Sequence, residues 1–119
     1  MSKRSITFDT VLDLCGNKHR RIVLAVLAEE QRSLTVNDLR GTILTYNHHT
    51  PVTDASEEVL TEIRASLSHT HIPKLESAGV IEYDSERQLV EPTERFDQLQ
   101  PHLSTILDID PNLDEPIEL

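Results

Sequence analysis

A mainly helical single domain carrying one small β-hairpin is the fold class that this sequence predicts, on three observations. Apolar residues recur at steps of three and four through five segments, the period changes to two short strand-like runs only after Gly79, and the length is 119 residues. Chains of about 100–150 residues usually hold one core, and at this size roughly 65% of the unfolded surface is buried on folding.

The first helix is expected over Thr7–Cys15, with Phe8, Val11, Leu12 and Cys15 at helical spacing and Gly16 as a stop. Asn17 can cap a second helix, Lys18 to about Glu30, whose Ile22, Val23, Val26 and Leu27 form a two-row apolar stripe. Ser33-Leu34 reads as a short bridging strand. Thr35 then caps a third helix marked by Val36, Leu39 and Ile43.

Tyr46–Thr53 has Asn and Pro punctuation without an apolar period, so a loop is expected there. Asp54 and Glu57 make a carboxylate version of the capping box ahead of Val59, Leu60, Ile63 and Leu67 in a fourth helix. Pro73 must kink or divide that helix near His69–Ile72, and Gly79 ends it in a left-handed cap. Val80–Tyr83 and Gln88–Glu91, separated by the polar loop Asp84–Arg87 and closed by Pro92, predict the hairpin. Thr93 can cap a last helix in which Phe96, Leu99, Leu103 and Ile106 repeat at 3, 4, 3; Pro101 is expected to kink or split it. Residues 110–119, DPNLDEPIEL, read as an acidic disordered tail after a domain of residues 1–109.

Helix, helix, short strand, helix, loop, helix and hairpin is the element order of a winged helix-turn-helix, which specifies an architecture and not an activity. The runs LCGNKHRRIVLAVLAEE and LSHTHIPKLESAGVIEYDSERQLVEPT resemble the small winged-helix domains of halophilic archaea, described as transcriptional regulators. More distantly the chain resembles ArsR-like regulators. The resemblance covers roughly Ile6–Leu107 and is sharpest at Pro73, Lys74-Leu75, Ala78-Gly79 and the acidic hairpin tip. It implies a DNA-linked role without naming a target, and it would explain an acidic composition as adaptation to a salty cytoplasm.

That composition is lopsided. Residues 1–49 hold seven Lys/Arg and five Asp/Glu, residues 50–119 hold four and sixteen, and the whole carries a net charge of −10. Phosphate is repelled at long range, which argues against non-specific nucleic-acid binding in dilute salt. A lone Cys15 excludes an internal disulfide, and no apolar run approaches a membrane span, so a soluble cytoplasmic protein is expected. With three Gly, no phosphate loop and no nucleophile motif, the inventory argues against an enzyme. No cofactor is expected. Six His and one Cys suggest a metal sensor of the ArsR kind, but His69 and His71 diverge by about 200° around a helix, His48-His49 have no nearby Cys, and no metal site is expected. His71 is expected at the edge of the core, bonded to a backbone carbonyl.

The fourth helix is the element expected in a major groove, with the hairpin as a wing on the backbone. Opposite its apolar side stand Thr61, Ala65, Ser68 and Glu58, bordered by Arg64 and His69. Arg64 is the one cation able to read a guanine there, yet Glu57, Glu58 and Glu62 face the same way, so the face reads equally as a solvated one. Lys18, Arg20 and Arg21 occupy the first turn of a helix, where cations oppose the dipole, so local helix stability does not explain them. They read either as phosphate contacts or as partners of Asp13, Glu29 or another chain's carboxylates. Arg87 at the wing tip joins the candidate DNA contacts.

The sequence thus predicts a winged-helix homodimer that binds DNA and regulates transcription, its half-sites about one helical turn apart. Dimerisation is expected through Phe8, Val11, Phe96, Leu99, Leu103 and Ile106, with residues 93–108 as the dimerisation helix, because such a seam exposed on a monomer would lack a partner. The rival is a winged-helix module whose acidic surface binds a protein and never touches DNA.

Overall fold

The computed structural model describes residues 6–48 and 54–110. Among them the protein is mainly helical, with a small three-stranded antiparallel sheet. The helices are α1 (Phe8–Cys15), α2 (Lys18–Glu30), α3 (Val36–His48), α4 (Glu57–Ser66), α5 (Ile72–Ser77) and α6 (Glu94–Ile109). The strands are β1 (Leu34–Thr35), β2 (Ile81–Asp84) and β3 (Leu89–Pro92), in the order β1-β3-β2.

Short polar side chains start most of these helices. Thr7 Oγ1 accepts from the Thr10 amide, Asn17 Oδ1 accepts from the amides of His19 and Arg20, and Thr35 and Asp38 cap each other reciprocally at 3.0 and 3.1 Å. α4 departs from expectation: its cap is Ser56, whose Oγ accepts from the Val59 amide, and not Asp54. Thr93 also departs, because its hydroxyl donates to the Gly79 carbonyl at 2.6 Å instead of capping α6. That bond ties the start of α6 to the end of α5.

α2 is the axis of the core. Residues Ile22 to Leu27 are all buried, so the two-row stripe expected from the sequence is covered on every side, by α1, α3 and α6. From α6, Phe96, Leu99 and Leu103 are inserted into this core at 2%, 0% and 1% exposure, and Val11 joins them from α1. Ile106 is partly buried against the same cluster. Of the expected dimer seam, Val11, Phe96, Leu99, Leu103 and Ile106 therefore pack within the chain, while Phe8 stays exposed: a 3-4-3 stripe is the same whether it meets a second chain or the core of its own, and burying each such side chain stabilises the fold by about 1.5–3 kcal/mol.

Pro73 divides the fourth helical segment through a π-turn over Leu67–His71, where the Ile72 amide reaches back five residues to the Leu67 carbonyl. Pro101, in contrast, is accommodated within one continuous α6. It is exposed, as is Asp97 four residues earlier, whose carbonyl the ring cannot serve.

α5 ends in a Schellman motif: the Gly79 amide bonds the Glu76 carbonyl and the Val80 amide bonds the Leu75 carbonyl, with Gly79 at φ 81°. The hairpin is set one residue later than the sequence suggested, with Ser85–Gln88 as its turn and Pro92 paired with Ile81. Asp84 makes the turn by accepting from the amides of Glu86 and Arg87, and Gln88 closes it at φ 55°. The outer edge of β2 is protected where the Tyr83 amide donates to Glu76 Oε2. The loop expected over Tyr46–Thr53 is helical as far as His48, and its remainder lies outside the described residues, as do residues 111–119 of the expected tail. Asp110 is held, capping α6 and paired with Arg21.

The cap at Gly79 predicts a specific cost. An added Cβ there meets Arg95 Cδ at 3.1 Å and must adopt a left-handed backbone, so Gly79→Ala should lower the stability by about 1–2 kcal/mol. Urea denaturation checks it as a lower midpoint with an unchanged slope.

Candidate functional site

The exposed face of α4 is built of short side chains. Thr61 and Ala65 are exposed, Ser68 half-buried and His69 exposed, with Glu58 and Glu62 beside them; the opposite side carries buried Ile63 and Leu67, with Leu60 partly covered. Thr61 and Ala65 thus stand on the exposed side of α4, whereas Ser68 and His69 lie beyond it in the π-turn. The three carboxylates Glu57, Glu58 and Glu62 are all exposed in its first two turns.

Arg64 is placed differently from the free base-reading cation expected of it. Its guanidinium donates to Asn37 Oδ1 in the first turn of α3 at 2.7 Å and to Oε1 of Gln88, the last residue of the hairpin turn, at 2.5 Å. Gln88 is a junction: its carbonyl accepts from the Val36 amide and its side-chain amide donates to the Ser85 carbonyl. Arg64 and Gln88 therefore fix the hairpin against α4 and α3. Neither Gln88 nor Asn37 carries a sequence signal for this role, because a Gln in a left-handed turn and an Asn in a first helical turn are locally ordinary.

The cluster at the start of α2 is corrected most. Arg20 is buried, at 8% exposure; its Nε donates to the Leu14 carbonyl at 3.0 Å and its Nη2 to the Asp13 carbonyl at 3.0 Å. Arg21 is half-buried, donating to the Cys15 carbonyl at 2.6 Å and pairing with Asp110 Oδ2 at 3.0 Å. Both therefore serve the last carbonyls of α1, where cations favour the helix dipole that they oppose in α2. Neither is presented to an outside phosphate. Lys18 remains half-exposed, with no ion pair among the described residues.

Arg20 also reaches the π-turn, where its Nη1 lies 3.3 Å from His71 Nδ1. His71 is buried, as expected, but its partner is this guanidinium and not a backbone carbonyl. Burial, then the Arg20 charge, then His19 at a ring-centroid distance of 5.8 Å, push the His71 imidazole down to about 4. Nδ1 is thus an acceptor with its lone pair on Arg20. Burial likewise pushes the Cys15 thiol up against the opposing charges of Arg21 and Arg20, so it is a protonated core residue.

Arg87 is exposed at the hairpin tip, with Nε 2.9 Å from Asp84 Oδ2. Its hydrogen bonds hold the Asp84 carboxyl below the ordinary range. Lys74 pairs with Asp13 at 3.1 Å, and Arg32 lies 3.6 Å from Glu30. Most of the described cations are thus engaged within the chain. Among the described residues, no three His, Cys, Asp or Glu side chains converge in a way that would hold a metal ion, and no helix is long and apolar enough to cross a membrane.

A family model described as "Domain of unknown function (DUF7344)" matches residues 12–91, and the chain belongs to that family. No curated protein and no solved structure matches. The matched span runs from within α1 to the third strand, so it contains α4, the π-turn and the hairpin and stops before α6.

The His71 contact predicts a pH dependence. Its folded-state pKa lies below the ordinary 6.5, so the unfolded chain binds the proton more readily. Stability from this group is complete above about pH 6.5 and is lost as pH falls toward 4, with a slope of at most about 1.4 kcal/mol per unit. Urea midpoints between pH 7 and 4.5 should therefore fall more for the wild type than for His71→Gln; equal slopes would contradict the assignment.

Proposed function

We propose that this DUF7344 protein is a winged helix-turn-helix that associates with DNA and regulates transcription, with α4 as its reading helix and the β2–β3 hairpin as its wing. The observation that carries this reading is the pair of short exposed side chains Thr61 and Ala65 on α4, continued by half-buried Ser68 in the π-turn and joined to the hairpin through Arg64 and Gln88. Short side chains let a helix backbone approach base edges, where hydroxyls donate or accept and Ala packs on a thymine methyl group. The strand order β1-β3-β2 puts the hairpin beside β1, so it projects as one unit with the helices.

In this reading Arg64 positions the wing and meets a base only by leaving Asn37 and Gln88. Arg87 at the tip and Lys18 at the start of α2 are the candidates for backbone phosphate. His69, exposed at the end of the face, is a further candidate contact. Glu57, Glu58 and Glu62 oppose phosphate, so close approach takes up cations and is favoured by concentrated salt, consistent with a halophilic cytoplasm. Ordinary binding driven by counterion release instead weakens steeply with salt.

A second reading, an acidic module that docks a protein partner, is favoured by one specific observation: Arg20 and Arg21 are engaged inside the fold while the charged residues in the first turns of α4 are all carboxylates. Fluorescence anisotropy with the DNA upstream of the protein's own gene and with scrambled DNA, in KCl from about 0.1 to 3 M, separates the two. Sequence preference that survives molar salt and falls at least about tenfold, or 1.4 kcal/mol, in Ser68→Glu is the expected result. Equal binding of both DNAs at every salt concentration would turn the assignment to the protein-docking reading.

A further inference from the structure

The turn of the hairpin is closed without the Arg87 side chain. Asp84 Oδ1 accepts from the amides of Glu86 and Arg87 at 3.1 and 3.2 Å, and Gln88 Nε2 donates to the Ser85 carbonyl at 3.1 Å. Those bonds account for the shape of the tip. The other oxygen of the same carboxylate, Asp84 Oδ2, accepts from Arg87 Nε at 2.9 Å. Arg87 is thus tied to one carboxylate at both ends, through its backbone amide and through its guanidinium. An ion pair between side chains as exposed as these, at 72% and 42%, adds little to stability, so folding gives small reason for the second tie.

The tie restricts a long side chain instead. A guanidinium can meet a pair of oxygens along the edge that contains Nε or along the edge formed by both Nη nitrogens. Asp84 takes the Nε side. Among the described residues neither Nη nitrogen of Arg87 is bonded within the chain, so the second edge is left for an outside acceptor. The tip is also fixed relative to α4, because the neighbouring Gln88 accepts from Arg64 through Oε1 and from the Val36 amide through its carbonyl. Charge alone would not draw an anion here: Glu86 is exposed beside Arg87, and Glu82 and Glu91 line with it the same shallow hollow of the hairpin.

We propose that Asp84 is a positioning residue, which presents the Nη edge of Arg87 to a backbone phosphate of the DNA that α4 enters. This role rests on the reading of α4 as a DNA-entering helix and adds to it how the wing makes its contact. An arginine that is already ordered loses less freedom on binding, and its two Nη nitrogens match two oxygens of one phosphate. A carboxylate beside the contact therefore favours binding that its charge, taken alone, would oppose.

That sign is the test, by fluorescence anisotropy with the DNA upstream of the protein's own gene at a salt concentration where the wild type binds. Asp84→Asn keeps an oxygen for the two amides of the turn but offers no acceptor to Arg87 Nε. It removes one negative charge from the wing, as does Glu86→Gln, which leaves the Asp84 carboxylate in place. Asp84→Asn should weaken binding by about threefold to tenfold, whereas Glu86→Gln should bind as well as the wild type or better. Arg87→Ala should also weaken binding, and adding Asp84→Asn to it should have no further effect. Arg87→Lys, which keeps the charge without the fork, should resemble Asp84→Asn. Binding by Asp84→Asn as tight as that of the wild type overturns the proposal and leaves the α4 reading intact, provided that Ser68→Glu still loses sequence preference. A loss that persists in the Arg87→Ala background assigns Asp84 to the turn alone and overturns it as well. A wild type without sequence preference at any salt concentration removes the α4 reading and this role together.

Discussion

The fold depends on two adjacent arginines that close the end of a helix they do not belong to. α1 is eight residues long, too short to be stable by itself, and its last carbonyls have no partners within it. Arg20 takes those of Asp13 and Leu14, and Arg21 takes that of Cys15. Because Asn17 turns the chain and caps α2 immediately before them, the guanidinium groups are delivered by the first turn of the next helix. From there Arg20 continues to His71 in the π-turn and Arg21 to Asp110 beyond α6. Four parts of the molecule thus meet at two side chains, and the placement of cations at the start of α2, unfavourable in that helix alone, is accounted for by the dipole of the one before it.

This use of positive charge shapes what the surface can do. Arginines engaged with carbonyls in the interior are lost to phosphate, and Arg32, Lys74 and Arg87 are paired with carboxylates of the same chain. What remains outward on α4 is a face of hydroxyl and methyl groups edged by carboxylates. In the proposed reading, its attraction to a nucleic acid would be short-range, made of shape, hydrogen bonds and bound cations, and not of a long-range field. The bonds from Arg64 to Asn37 and Gln88 complement this chemistry, since they hold the helix and the hairpin in one fixed relation before any partner arrives.

Much of this architecture was readable in order along the chain. The apolar periods marked α1 to α4 and α6, Pro73 marked the division that sets off α5, and Asn17 and Thr35 capped as their identities require. Gly79 took the left-handed position that favours a residue without a Cβ. Less was legible wherever a side chain had a choice of distant partner. Arg64 lies 27 residues from Asn37, Arg20 lies 51 from His71, and Arg21 lies 89 from Asp110; periodicity says which face is apolar, not what a long polar side chain on its border will meet. The Phe96, Leu99, Leu103 stripe shows the same limit from the apolar side, for its spacing is common to a core and to a dimer seam. Within the candidate site, the exposed α4 face followed from the helical period, while the anchoring of Arg64 required the folded chain.

The most direct test of this account is the behaviour of the arginine Nε–H groups in proton-detected nitrogen NMR, with and without added DNA. Arg20 and Arg21 should give resolved Nε–H signals protected from solvent exchange, because both nitrogens are held by acceptors in partly or fully buried positions. Those two signals should stay unmoved when DNA is added. Rapid exchange of both with water, or their displacement by DNA as a first response, would show that the pair faces outward as a phosphate clamp and would contradict the structural role on which the rest is built.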